Sequence, residues 1–133
     1  MNEQAWTITG KHIGPLWYGW LTSPSEGEPS SVDFDWAQAW QHRADVIGHF
    51  HTHPTFPAFV SSTDLGTMQA WTFATGKPLL CAIQGTDGLK AWAMDNEDAP
   101  LRRVRCWLFG NLFVGIDAKS RKSRHKRREA VHA

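Results

Sequence analysis

The chain has 133 residues, a net charge of +1, and eight Trp with seven Phe, so a single domain with a sizeable apolar core is the simplest organisation. No apolar run approaches the ~20 residues that cross a bilayer, and the opening Met-Asn-Glu-Gln-Ala-Trp lacks the charged-then-apolar order of a secretion signal, so a soluble, cytoplasmic protein is expected. Cys81 and Cys106 stand far apart and outside any CxxC spacing, which argues against a disulfide framework and for reduced thiols in the core.

In chain order, residues 5–8 and 16–21 combine aromatic and β-branched side chains between Gly10, Gly14-Pro15 and Ser23-Pro24, and are predicted strands. A loop rich in Ser, Pro, Gly and Glu follows at 23–31. Phe34, Trp36, Ala37 and Trp40 recur at near-helical spacing behind Asp33 and Asp35, which predicts a short helix over 35–43. Residues 45–52 form the next strand and 54–60 a loop. A second helix starts at Ser61 or Ser62, carries an apolar stripe of Leu65, Met68, Trp71 and Thr72, and stops at Gly76-Lys77-Pro78. Residues 79–83 and 89–94 flank the hairpin signature Gly85-Thr86-Asp87-Gly88. Strands at 104–109 and 112–116 complete the pattern. The expected architecture is α+β, an α/β sandwich with two helices packed on a sheet. The tryptophans are expected mostly in the core, with one or two near Phe56-Pro57 lining a groove for an extended peptide.

Charge is uneven along the chain. From 117 to 133, seven Lys or Arg stand against Asp117 and Glu129, a local balance of +5, so the first 116 residues carry −4. The expected division is a domain at 1–116 and a basic tail at 117–133. Such a tail suits an acidic protein surface or the phosphates of a nucleic acid, although no aromatic residue is interleaved to stack bases. A solvated terminus is the simpler alternative.

The chemistry concentrates in His51-Thr52-His53-Pro54 and the Ser61-Ser62-Thr63-Asp64 that follows. Histidines at i and i+2 of an extended strand share one face and can share one ion. Asp64 offers an oxygen ligand from the first turn of a helix, where backbone N–H groups and the positive helix end favour a carboxylate. Two nitrogens and one carboxylate leave a fourth tetrahedral position for water, the arrangement of hydrolytic zinc. Ser61, one turn ahead, can cap the helix and also aim its hydroxyl at a developing oxyanion. His49 shares the strand face with His51 and His53. A three-histidine site is chemically reasonable, but with Asp64 supplying the third ligand, His49 reads as a packing or supporting residue. His42, His125 and His132 have no partners in the sequence.

Residues 48 to 65, from Gly48-His49-Phe50-His51-Thr52-His53-Pro54 through Ala58-Phe59-Val60-Ser61-Ser62-Thr63-Asp64-Leu65, resemble the His-x-His-Pro and Ser-x-x-Asp signature of the JAMM metalloproteases, also called the JAB or MPN domain family. The resemblance implies a curved, mostly antiparallel sheet flanked by helices. It further implies zinc on His51, His53 and Asp64, with Ser61 stabilising the tetrahedral intermediate. The implied reaction is cleavage of a peptide or isopeptide bond after the C-terminus of a ubiquitin-like or sulfur-carrier-like protein. Without the long insertions used to choose among polyubiquitin linkages, the chain is similar to compact bacterial-type members.

Family members also carry a glutamate on an early strand, in a pattern like Glu-x-x-Gly-x-x-x-Gly, that handles the proton. Seven residues before Gly19 that slot holds His12. Three readings stay open. His12 is the base, as its reference pKa of ~6.5 permits; or Glu26, Glu28 or Glu3 reaches the site instead; or the domain is a zinc-binding module that scaffolds a complex with weak or no peptidase activity.

Overall fold

The computed structural model describes residues 2–27 and 36–118. Glu28, most of the tail at 117–133, His125 and His132 lie outside the described residues. Seven strands and two helices follow in the order β1 (Gln4–Ile13), β2 (Leu16–Glu26), α1 (Trp36–Gln41), β3 (Val46–Thr52), α2 (Ser62–Thr75), β4 (Leu79–Gly85), β5 (Gly88–Met94), β6 (Arg102–Phe109) and β7 (Leu112–Asp117). Every expected element is present, most of them longer than predicted. β1 runs through Gly10, which sits opposite Gly19 of β2. A Cβ built on Gly10 would lie 2.0 Å from the Tyr18 carbonyl oxygen, so the glycines admit a close approach of two backbones rather than break the strands. β2 passes Ser23-Pro24 by a bulge at which Ser23 takes φ 52°.

The expected sandwich is not what forms. The strands close into a barrel in the order β1-β2-β7-β6-β5-β4-β3, sealed by β1 pairing with β3. Pairing is antiparallel throughout except for β3 with β4, which α2 connects as a crossover. Closure rests on β2 pairing with β7 from Leu16↔Ile116 to Trp20↔Leu112, a contact between strands about 95 residues apart that no local pattern encodes. Among the described residues the helices are too few to form layers. α1 spans 6 residues, and α2 buries only Met68 and Thr72 fully.

Two clusters fill the interior. Ile8, Trp17, Leu21, Phe50, Leu80 and Phe113 belong to the one inside the barrel, while Met68 of α2 meets Leu79, Cys81, Ile83 and Met94 outside it. β4 is covered on both faces and reads as an unbroken apolar run for that reason. Trp17 is fully buried and Trp6, Trp71 and Trp92 are partly buried against the two clusters, whereas Trp20, Trp40 and Trp107 are exposed, so the expected core placement holds for some of the tryptophans and fails for those three. Both cysteines are free, Cys81 in the core and Cys106 half-buried. No described helix is long and apolar enough to cross a membrane.

Candidate metal centre

β3 carries His49 and His51 on the side where the parallel neighbour β4 places Cys81 and Ile83. His53 follows the strand end in the same direction, because its backbone N–H still donates to the Gln84 carbonyl at 2.8 Å. The two-residue alternation read from the sequence therefore holds through His53. All three imidazoles are buried.

The ligand atoms converge. His51 Nε2 lies 3.0 Å from His53 Nε2 and 3.5 Å from Asp64 Oδ2. His53 Nδ1 lies 2.9 Å from the Pro57 carbonyl oxygen. A carbonyl only accepts, so Nδ1 carries the proton and Nε2 presents a lone pair to the cluster. Asp64 is held by a reciprocal cap: its N–H donates to Ser61 Oγ at 3.1 Å and its Oδ2 accepts from the Ser61 N–H at 3.0 Å. The Ser61 hydroxyl accepts one hydrogen bond there and keeps its own hydrogen to donate elsewhere.

A fourth group reaches the cluster from the residue immediately ahead of β1. The antiparallel register pairs Ala5 with His51; continued outward by two residues, it sets Glu3 opposite His53. The side chains meet, with Glu3 Oε1 3.6 Å from His53 Nε2. Glu3 is 4% exposed and its backbone carbonyl accepts from Gly27 N–H at 2.9 Å. Burial raises its carboxyl pKa; His53 opposes that shift, and Asp64 adds to it. Burial, with a contribution from His53, depresses His51 to about 4, although Asp64 pulls the other way. His49 falls to about 3, again chiefly through burial. Both rings are neutral near pH 7, as ligation requires.

His12 is not brought to this cluster. It sits nine residues further along the chain, within β1, its ring stacked on Trp17 at 3.6 Å and its Nε2 3.2 Å from Asp117 Oδ2. Glu26 is exposed at the end of β2 and accepts from Asn2 Nδ2 at 3.3 Å. The spacing to Gly19 points to His12 and leaves Glu3 only as one of three glutamate alternatives. Seven residues before Gly10, the glycine paired with Gly19, the position is Glu3.

The donor set fits a divalent ion. Ligand atoms each ~2.0–2.1 Å from a tetrahedral zinc stand roughly 3.3 Å apart, and the His51–His53 and His51–Asp64 spacings lie on either side of that value. Ligand atoms of Glu3, His51 and His53 lie within 4.8 Å of one another, as do those of His49, His51 and Cys81. The second trio is fully buried, and burial, assisted by Asp64, raises the Cys81 thiol pKa well above its usual value, which opposes the thiolate that ligation needs.

A family profile described as prokaryotic homologs of the JAB domain matches residues 3–105. The chain belongs to that family. The match begins at Glu3 and spans both histidines, Ser61 and Asp64. No curated protein matches the chain. This JAB domain thus combines family membership with a buried histidine and carboxylate cluster able to hold a metal ion, which supports a metal-dependent hydrolase.

Proposed function

We propose that this JAB domain is a zinc-dependent peptidase or isopeptidase that cleaves the amide bond after the C-terminus of a ubiquitin-like protein. The observation that carries the reading is Glu3 facing His53, because it adds a carboxylate that is not tied into the helix cap to a set of ligands that is. His51, His53 and Asp64 would hold zinc. When bound, zinc lowers the pKa of water and polarises the scissile carbonyl. Glu3 takes the proton from the attacking water and returns it to the leaving amine, a task suited to a carboxyl whose pKa is raised by burial. Ser61 donates to the oxyanion from the helix start. Asp64 stays fixed by the cap, so it serves as ligand rather than proton carrier.

Glu3 beside the histidines supports this reading over that of a scaffold module, whose basis is His12 in the glutamate slot. Incubation of the zinc-loaded protein with a ubiquitin-like protein fused through its C-terminal glycine to a reporter tests the reading. Release of the reporter, abolished by chelator and restored by zinc, is expected. No turnover with zinc fully bound, across several ubiquitin-like fusions, would return the protein to a scaffolding role.

A further inference from the structure

The loop that supplies the hydrogen-bond partner of His53 does not hold itself. The segment from His53 to Ala58 lies against the β4–β5 hairpin, which grips it at three heights. Gln84 accepts from His53 N–H at 2.8 Å, Thr86 N–H donates to the Phe56 carbonyl at 2.9 Å, and Asp87 Oδ1 accepts from Ala58 N–H at 2.7 Å. Between the last two ties sits Pro57, whose carbonyl receives the His53 Nδ1 proton. Contact is so close at Gly85 that a Cβ there would lie 2.1 Å from Ala58 N and 2.5 Å from the Pro57 carbonyl carbon. The second oxygen of Asp87 is held by Lys90 Nζ at 2.6 Å.

We infer that Asp87 is a positioning residue for the metal: by fixing Ala58 it aims the Pro57 carbonyl at His53 and so sets the tautomer that exposes Nε2. A neutral imidazole has one donor nitrogen and one acceptor. If the carbonyl drifts, the proton is free to occupy Nε2 as well, the ligating tautomer is less populated, and affinity for the metal falls. The carboxylate acts only through backbone and ring, and touches neither metal nor substrate. Its pKa is lowered first by the Ala58 N–H and then by Lys90, in keeping with an ionised acceptor on that amide.

The inference rests on His53 being a zinc ligand, and zinc affinity by competition with a chelator tests it without recourse to activity. Asp87→Ala is expected to weaken zinc binding by roughly 10- to 100-fold, the usual effect of removing an outer support of a ligand. Asp87→Asn, whose amide oxygen still accepts from Ala58, should bind close to the native protein, and so should Lys90→Ala. In a His53→Ala background, Asp87→Ala should have no further effect, because its route runs through that ring. Full affinity in Asp87→Ala, equal loss in Asp87→Asn, or the same loss with His53 absent would each overturn the inference. A second readout needs no variant: in the metal-free native protein the ¹⁵N shifts of His53 should place the proton on Nδ1, and a proton on Nε2 would overturn it. Failure of the native protein to bind zinc would remove the reading of the metal centre as well, whereas tight native binding with no effect of Asp87→Ala removes this inference alone.

Discussion

Glu3, immediately ahead of β1, and His12, near its far end, are two candidates that a single slot in the sequence left open. Glu3 is buried against His53, while His12 spends its ring on Trp17 and Asp117. Glu3→Gln is therefore expected to lower kcat by about 10²- to 10⁴-fold, the usual loss of a positioned proton acceptor, while zinc affinity stays near native. His12→Ala should leave kcat near native and lower stability instead. Steady-state kinetics with metal analysis separates the two, and a collapse of kcat in His12→Ala alone would reverse the assignment. The signal for Glu3 was present as its distance from Gly10. It was hidden because two glycines compete as anchors and only their pairing shows that both belong to one hairpin.

At the level of elements, the local signals were strong where one residue type answers one backbone need. Gly76 ends α2 in the left-handed region at φ 67°, and Ser61 starts it with a reciprocal cap. That cap couples fold to chemistry, since the same Asp64 oxygen that accepts from Ser61 N–H faces His51. Ser61→Ala is expected to cost about 1 kcal/mol of stability and to weaken zinc binding together with kcat. Chemical denaturation beside chelator titration measures both, and unchanged affinity would confine Ser61 to capping and catalysis. Gly10 misled the strand boundaries. Its role is spatial, an approach to the Tyr18 carbonyl that a methyl group would block, so Gly10→Ala should destabilise the fold by about 2 kcal/mol or more without touching the metal cluster directly.

At the scale of the molecule, the barrel is stitched at its long-range seam by part-buried polar groups. Asp117 of β7 accepts from Trp17 Nε1 of β2 at 2.8 Å, contacts His12 of β1 and accepts from Arg102 of β6. Burial pushes the Asp117 pKa up, but the hydrogen bonds from Arg102, Trp17 and His12 together bring it below the usual value. A group whose folded pKa is depressed contributes stability that is present above its unfolded pKa and fades as pH falls through the folded value. The buried histidines act in the same direction by another route. His49 and His51 resist protonation in the folded state down to about 3 and about 4, while unfolded histidine takes a proton near ~6.5. Below that pH the unfolded chain binds more protons, so stability falls. The metal-free protein should therefore lose stability steadily from about pH 6.5 toward 4, read as the urea midpoint. A midpoint constant from pH 7 to pH 4 would contradict the burial of the two histidines, whereas Asp117, whose pKa is depressed, acts only further into acid, where Asp117→Asn should flatten the profile.

The sequence by itself determined the order of the strands, the extent of α2 and the shared face of His51 and His53, because each follows from periodicity or a cap within a few residues. Only the tertiary structure decided that the sheet closes into a barrel, that Trp20, Trp40 and Trp107 face outward, and that Glu3 rather than His12 stands at the histidines. Those outcomes depend on pairing between distant strands, β2 with β7 and β1 with β3. There the register, not the neighbouring residues, settles which side chains meet.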